Sequence, residues 1–347
     1  MKALIFERVG RINHASVADP EIREPGDVIV RVEAAAICGS DLHVYRGLEM
    51  GLDAGTVMGH EFSGEVVEVG SEVTELRPGD RVVSPFTTSC GACFYCRAGL
   101  TARCLRGQLF GWVEKGRGLH GVQAELVRVP LAHSTLVKVP ADVPAETALF
   151  AGDVLATGWF GAETAHAGPG KMVAVVGCGP VGLMAVIAAR ELGAERIFAL
   201  DALHERLALA AHWGAEPVDV ADEPAARIRE ATEGRGADAV IEAVGSPQAT
   251  RLAFNLSRPG GTIAAVGVHA ETHLAISPGE VYDKNLTYCA GRTSARSYME
   301  RLLPLIRSGR YDLATLISHR LSLSEGPRGY EVFDRKLEGC TKVVLTP

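Results

Sequence analysis

The sequence lacks any uninterrupted apolar run of the roughly 18 residues that a membrane-spanning helix requires. Its first residues, MKALIFERVG, reach Glu7 and Arg8 before an apolar signal-peptide segment could form, and no small-residue cleavage site follows. A basic stripe is also missing, and the formal net charge of -7 would repel nucleic-acid phosphates. We therefore expect a cytoplasmic protein with neither a membrane nor a nucleic acid as partner.

Side-chain amides are scarce, with only 3 asparagines and 3 glutamines, and arginine outnumbers lysine by 28 to 7. Few thermolabile amides favour a thermostable protein from a thermophile, but a GC-rich genome gives the same arginine bias. The composition leaves both explanations open. A calorimetric midpoint in the mesophile range of about 45–65 °C would exclude the first.

Two patterns divide the chain, and its length of 347 residues also favours two domains. Short alternating or β-branched runs predict strands at 27–37, 64–70, 80–86 and 124–130. From Lys171 onward, apolar runs alternate with helical stretches, which predicts a doubly wound parallel sheet. The residues from about 290 are too few to fold alone. We therefore expect an α/β protein with a mainly β domain at 1–154 and 290–347 and a parallel-sheet domain at 155–289.

A glycine-rich segment follows the first apolar run of the parallel-sheet region and opens a helix. It reads Gly177, Cys178, Gly179, Pro180, Val181, Gly182. Glycines at this spacing let the backbone approach a pyrophosphate, and the helix N-terminus offers it free N–H groups. Asp201 closes the next apolar run, where it can bind an adenosine ribose and repel a 2′-phosphate. The segment therefore predicts NAD binding.

Four of the eight cysteines crowd into a lobe at 88–106. They are Cys90, Cys93, Cys96 and Cys104. In a reducing compartment such spacing indicates a closed tetrahedral zinc site, which is structural because no position is left for substrate. An iron–sulfur cluster or two disulfides are the alternatives, and a visible absorbance band would favour the cluster.

Three further residues have metal-ligand chemistry: Cys38, His60 and Asp153. Singly, each is more often a core cysteine, a satisfied histidine or a helix cap. Together with the glycine-rich segment and the lobe, they indicate a second metal site.

This combination resembles the zinc-dependent medium-chain alcohol dehydrogenases along the whole chain. The segments that carry the resemblance are GHEFSGEVVEVG (59–70), the cysteine spacing at 90–104, DVLATGWFGAE (153–163) and GCGPVG (177–182). It implies a GroES-like catalytic domain, a Rossmann cofactor domain, two zinc ions per subunit and, as in bacterial relatives, a homotetramer. It also implies that Cys38, His60 and Asp153 bind catalytic zinc, with aspartate at the third position as in the bacterial secondary-alcohol branch.

The resemblance implies a mechanism, too. Zinc lowers the pKa of the bound hydroxyl, and a hydride passes from the alcohol carbon to NAD. Ser40 and His43 relay the released proton through the cofactor ribose. Asp41 fixes the tautomer of His60. Because Glu61 as a fourth ligand would make the site negative, we expect it to lie nearby or to exchange.

Other positions follow from the resemblance or from size alone. The expected cofactor contacts are Thr157, Arg206, Val268, Arg292 and, near the phosphates, Lys342. Phe86 and Trp112 are candidates for the substrate wall. Two alternatives stay open: a polyol, threonine or formaldehyde dehydrogenase of the same fold, and a noncatalytic cofactor-binding structural protein.

Overall fold

The computed structural model describes every residue, Met1–Pro347, and divides the chain into two compact units. The first unit consists of Met1–Ala156 and Ser294–Pro347, and the second of Thr157–Thr293. None of the helices is long and apolar enough to span a bilayer.

The strands are β1 Lys2–Arg8, β2 Arg11–Ser16, β3 Val28–Ile37, β4 Glu61–Val69, β5 Arg81–Val83, β6 Trp112–Glu114, β7 Arg117–Leu119, β8 Leu126–Val129, β9 Val137–Lys138, β10 Met172–Val176, β11 Arg196–Asp201, β12 Glu216–Asp219, β13 Ala237–Glu242, β14 Ser257–Ala265, β15 Thr287–Ala290, β16 His319–Ser322 and β17 Val343–Thr346. The α-helices are α1 Asp41–Tyr45, α2 Phe94–Arg97, α3 Ala132–Thr135, α4 Ala145–Ala148, α5 Val154–Thr164, α6 Pro180–Glu191, α7 His204–His212, α8 Pro224–Ala231, α9 Pro247–Leu256, α10 Pro278–Asp283, α11 Arg296–Arg307 and α12 Gly326–Arg335. Short 3-10 helices lie at Thr101–Arg103, Leu149–Gly152, Leu313–Leu316, Leu323–Glu325 and Leu337–Gly339.

The first unit is built on a seven-stranded sheet in the order β16-β17-β3-β4-β5-β9, with β8 also paired to β3. Alternate residues of β3 explain its central position: Val28, Val30 and Val32 enter one apolar core with Phe62 of β4. A second core forms around Ile37, at the end of β3, and gathers residues of α12 and β17. The strand thus links two cores of this unit.

The register of this sheet brings three distant segments to one end. Ala36 of β3 pairs with Glu61 at the start of β4, and Ile37 pairs with Val343 at the start of β17. Cys38, His60 and Lys342 are the next residues beyond these pairs. All three therefore lie at the same end of the sheet.

The second unit is a six-stranded sheet in the order β12-β11-β10-β13-β14-β15, and every pair in it is parallel. Counted from β10, this is the 3-2-1-4-5-6 order of a Rossmann domain. β10, with the sequence MVAVV, is apolar throughout, as suits a strand that is buried on both faces. The predicted α/β fold class is confirmed.

Candidate active site and metal centres

Four potential ligand side chains converge in the first unit. They are Cys38, His60, Glu61 and Asp153, and one ligand atom of each lies within 4.8 Å of those of the others. Cys38 follows β3, and Asp153 follows the 3-10 helix Leu149–Gly152. Glu61 is the first residue of β4, and His60 directly precedes it. These four residues are at most 9% exposed, so they form a buried cluster.

The spacing of this cluster fits a tetrahedral zinc ion. The Cys38 Sγ to Asp153 Oδ2 distance is 3.6 Å, and the His60 Nε2 to Asp153 Oδ2 distance is 3.1 Å. Tetrahedral bonds of about 2.3 Å to sulfur and 2.1 Å to oxygen or nitrogen place such ligand atoms about 3.4–3.6 Å apart. One thiolate, one carboxylate and one imidazole also neutralise a divalent cation.

The electrostatics of the cluster also favour a cation. Burial opposes protonation of His60, but the carboxylates of Asp41 and Asp153 outweigh it and hold the pKa of His60 well above its usual value. Burial, Asp153 and Glu61 raise the pKa of the Cys38 thiol. Both shifts mean that the bare cluster attracts positive charge, which a metal ion supplies.

Asp41 and Ser40 contact the same imidazole from different sides. Asp41 Oδ1 lies 3.2 Å from His60 Nδ1, and Asp41 Oδ2 accepts a hydrogen bond from the backbone N–H of Cys38 at 3.0 Å. Ser40 Oγ lies 3.3 Å from His60 Nε2, the nitrogen that also faces Asp153. Asp41 therefore orients two of the potential ligands, and the Ser40 hydroxyl lies beside the cluster.

Lys342 is the residue whose expected position needs correction. The sequence suggested a contact with cofactor phosphates, but the side chain is 0% exposed and its Nζ lies 2.6 Å from Glu61 Oε1. Burial opposes protonation of Lys342, but Glu61 outweighs it and raises the pKa of the amine. A fully buried ammonium paired with a carboxylate is not available to a phosphate. Glu61 Oε2 is buried without a partner, so this carboxylate keeps one acceptor beside the cluster.

The second cluster is the four-cysteine lobe. The Sγ atoms of Cys90 and Cys96, and those of Cys93 and Cys104, are each 4.0 Å apart. A tetrathiolate zinc site with bonds of about 2.3 Å has sulfur–sulfur edges of about 3.8 Å. All eight cysteines of the chain are free, so the structure contains no disulfide in the lobe. The sulfur positions fit one shared ion.

Backbone groups of the lobe already favour a thiolate. The N–H groups of Leu105 and Cys96 lower the pKa of Cys93 to about 6. Apolar packing contributes little here, because α2 buries none of its residues, and Phe94 and Leu105 are 68% and 73% exposed. A segment without an apolar core needs another source of stability, and a bound metal ion supplies it.

The glycine-rich segment forms the turn between β10 and α6 in the second unit. Gly179 is the N-cap of α6, and Pro180 occupies its first turn. A Cβ on Gly182 would lie 1.7 Å from the carbonyl oxygen of Gly177, so only glycine allows this turn. The predicted helix N-terminus is therefore open to an anion.

Asp201 ends β11 beside this turn. Its Oδ2 accepts a hydrogen bond from the Cys178 N–H at 2.8 Å, and its Oδ1 accepts one from the Leu203 N–H at 3.0 Å. Arg206 Nη1 lies 3.8 Å from Asp201 Oδ2, and its buried Nε has no partner. The turn thus combines a carboxylate for a ribose diol with an unsatisfied guanidinium donor, which fits an adenine dinucleotide.

The remaining predicted residues lie in both units. Thr157 is buried at the start of the second unit, whereas Val268 is 46% exposed and Arg292 is exposed. Phe86 packs edge-on against His60, with ring centroids 6.3 Å apart. Trp112, in contrast, packs against the core around Ile37.

Comparison with protein families decides the identity of the chain. The family model for the "Alcohol dehydrogenase GroES-like domain" matches residues 24–141, and the family model for "Zinc-binding dehydrogenase" matches residues 180–308. The chain belongs to the zinc-dependent medium-chain alcohol dehydrogenase family. It is a zinc-dependent oxidoreductase that interconverts alcohols and carbonyl compounds.

Individual relatives resemble this dehydrogenase over nearly its full length. "Zinc-type alcohol dehydrogenase B" of Aspergillus flavus is 41% identical, over 96% of this chain and 79% of the relative. The NADP-dependent isopropanol dehydrogenase of Thermoanaerobacter brockii is 35% identical over 92% of each chain. The solved alcohol dehydrogenase TADH of Thermus sp. ATN1 is 42% identical, covers 100% of this chain and 99% of its own, and superposes with a TM-score of 0.93.

Two residues of the dehydrogenase that the sequence did not single out lie behind Asp41. Gln123 Nε2 is 3.4 Å from Asp41 Oδ2, and Tyr330 Oη donates to Gln123 Oε1 at 2.9 Å. Both side chains are 0% exposed. No local motif marks them, although a glutamine in a chain with only 3 of them was a weak signal.

Proposed function

We propose that this dehydrogenase oxidises primary and secondary alcohols with NAD, and that Cys38, His60 and Asp153 hold its catalytic zinc. The observation that carries the proposal is the buried convergence of these side chains with Glu61. A noncatalytic cofactor-binding protein would gain nothing from burying so many ligand groups. We further propose that the first unit is the catalytic domain and the second the cofactor domain.

Each residue of the proposed active site has its own role in catalysis. When bound, zinc supplies a Lewis acid that polarises the substrate oxygen, and a bound nicotinamide accepts the hydride. Cys38 and Asp153 provide the two negative charges that balance the ion. Ser40 Oγ lies 3.3 Å from His60 Nε2, beside the ligand cluster, where it would accept the proton of an alcohol held there, and His43 in α1 would deliver that proton to solvent. Phe86 packs edge-on against the His60 ring and so limits its movement.

The proposed localisation and assembly rest on chemistry and resemblance. Four free lobe thiols suit the reducing cytoplasm. The bacterial branch suggests a homotetramer, for which size-exclusion chromatography with light scattering is the test.

The Ser40→Ala variant tests the proton relay. Its kcat for alcohol oxidation should fall by about 10²–10⁴-fold, the usual contribution of a positioned proton acceptor. The zinc content should not change, because Ser40 is not a proposed ligand. The Ser40→Thr variant, which restores a hydroxyl, should recover most of the rate. Turnover of Ser40→Ala within about twofold of the unmodified enzyme would rule out the relay.

Asp201 carries the proposed preference for NAD. In Asp201→Asn, kcat/KM with NAD should fall by about 10–100-fold, because hydrogen bonds to a charged group contribute about 1.5–3 kcal/mol. At the same time kcat/KM with NADP should rise, since the negative charge facing the 2′-phosphate is gone. Steady-state kinetics with both cofactors measures the two effects.

Asp219→Asn is the matched control for that experiment. Asp219 also ends a strand of the same sheet and accepts a backbone N–H, from Ala221 at 2.8 Å. The Asp219→Asn variant should keep the cofactor preference of the unmodified enzyme. A native preference for NADP, the cofactor of the isopropanol dehydrogenase of Thermoanaerobacter brockii, would refute the assignment to NAD.

A substrate panel tests the proposed reaction as a whole. The enzyme should reduce NAD with linear, branched and cyclic alcohols. Polyols should be poorer substrates, because the family resemblance implies that polyol dehydrogenases carry a glutamate at the position of Asp153. Threonine and the formaldehyde adduct of a thiol complete the panel. Strong preference for one of these compounds would favour the alternative dehydrogenase instead.

A further inference from the structure

A buried hydrogen-bond network extends from the proposed metal ligands into the interior of the first unit. The member of the network that contacts the proposed ligands is Asp41. Its Oδ2 accepts a hydrogen bond from the Cys38 N–H at 3.0 Å, and its Oδ1 lies 3.2 Å from His60 Nδ1. One carboxylate therefore holds the backbone of one ligand and the ring of another. Any rotation of Asp41 would move both.

Gln123 restricts that rotation. Its Nε2 donates to Asp41 Oδ2 at 3.4 Å and to the carbonyl oxygen of Ala36 at 3.1 Å. Both partners are acceptors, so only the amide nitrogen can face them, and Oε1 must point the other way. The partners thus determine one orientation of the amide.

Tyr330 satisfies the other end of the amide. Its Oη donates to Gln123 Oε1 at 2.9 Å, across 207 residues of sequence. Tyr330 belongs to α12 and is 0% exposed, and its ring packs against Tyr45 with centroids 5.7 Å apart. The hydroxyl is therefore held in place by a packed ring.

The backbone next to His60 makes room for this network. Gly59 has a φ of +85°, and a Cβ on it would lie 2.5 Å from Gln123 Cγ. A side chain at this position would displace the Gln123 side chain. The glycine before His60 thus serves the placement of Gln123 as well as a turn.

We propose that Gln123 and Tyr330 are positioning residues that hold Asp41, and through Asp41 set the geometry of Cys38 and His60 around the catalytic metal. This inference rests on the proposed function, because it assumes that Cys38 and His60 bind the metal. Neither residue touches the ion or the substrate. Their effect is on how tightly and in what geometry the metal is held.

Loss of either residue has a defined consequence. In Tyr330→Phe, the buried Gln123 Oε1 lacks its donor, so the amide is held only through Nε2 and can shift away from Asp41. In Gln123→Leu, Asp41 Oδ2 loses a donor and the Asp41 side chain gains freedom. Both changes loosen the ligand pair without altering the metal charge or the ligands themselves.

The rate of zinc release from the purified holoenzyme to a chelating dye tests the inference. Partners of metal ligands typically contribute about 10–100-fold to metal affinity, so Gln123→Leu should release catalytic zinc that much faster. Tyr330→Phe, one step further away, should do so by about 3–10-fold. Tyr45→Phe is the control, since it removes a tyrosine hydroxyl from the same packed pair but not from the network. Release from the four-cysteine lobe serves as an internal reference.

Cobalt substitution gives a readout that general destabilisation would not produce. The d–d and thiolate charge-transfer bands of Co²⁺ at Cys38 should shift in Tyr330→Phe and Gln123→Leu and stay unchanged in Tyr45→Phe. Release rates and spectra of Tyr330→Phe equal to those of Tyr45→Phe would overturn the inference and leave the proposed function intact. An unmodified enzyme that holds metal only in the lobe would instead overturn the proposed function.

Discussion

Replacing Asp153 with asparagine is expected to lower kcat/KM for alcohol oxidation by about 10³-fold or more. Lewis-acid polarisation supplies several kcal/mol of transition-state stabilisation, and each 1.36 kcal/mol is about tenfold in rate. Asp153 Oδ2 lies 3.6 Å from Cys38 Sγ and 3.1 Å from His60 Nε2, so it takes part in two edges of the proposed coordination tetrahedron. Asparagine keeps the shape but removes one of the two charges that balance the ion.

The measurement combines steady-state kinetics with zinc analysis by mass spectrometry. Asp153→Asn should retain close to one zinc per chain, in the lobe. Asp142→Asn is the matched control, because this exposed carboxylate pairs with Arg307 at 2.8 Å and contacts no cluster. Two zinc ions and normal turnover in Asp153→Asn would exclude Asp153 as a ligand.

Loss of one lobe thiolate should affect stability instead of chemistry. We expect Cys93→Ser to lower the Tm by about 10 °C, because a structural zinc contributes several kcal/mol and 1 kcal/mol corresponds to about 2–4 °C in domains of this size. The lobe has no apolar core to compensate, as the exposed Phe94 and Leu105 indicate. Calorimetry measures the shift, with Cys289→Ser as the control cysteine.

Limited proteolysis locates the same effect. Three exposed arginines in the lobe are trypsin sites: Arg97, Arg103 and Arg106. Cys93→Ser should be cleaved there much faster than the unmodified enzyme, while kcat at low temperature stays within about threefold. An unchanged Tm together with resistance to trypsin would show that the lobe folds without its metal.

Features contained in one short segment could be predicted from the sequence. The glycine-rich turn and the four cysteines each lie within a few residues, so their spacing alone indicates their chemistry. The parallel sheet was predictable for a similar reason, because a strand buried on both faces, such as β10 with the sequence MVAVV, is continuously apolar. Local pattern and tertiary structure agree in these places.

The candidate active site depends on contacts between distant residues. Asp153 is 115 residues from Cys38 and 93 from His60, and no spacing rule joins them. Their association was suggested by the family resemblance. The register of β3 and β4 brings Cys38 and His60 to one end of the sheet, and Asp153 reaches them from the end of the 3-10 helix Leu149–Gly152.

The environment of Lys342 was predicted wrongly, and Gln123 was not singled out, for different reasons. A lysine is expected at the surface or on a phosphate, and only a contact with Glu61, 281 residues away, makes its complete burial tolerable. Gln123 is a neutral amide in a loop, and its proposed positioning role depends on its hydrogen bonds to Asp41 on one side and Tyr330 on the other. Neither environment can be inferred from neighbouring residues.

The most direct test of the account is a crystal structure with anomalous diffraction data collected at the zinc absorption edge. We expect two anomalous peaks per chain, one within bonding distance of Cys38 Sγ, His60 Nε2 and Asp153, and one among the four lobe sulfurs. A single peak in the lobe, with Cys38, His60 and Asp153 bound to no metal, would contradict it.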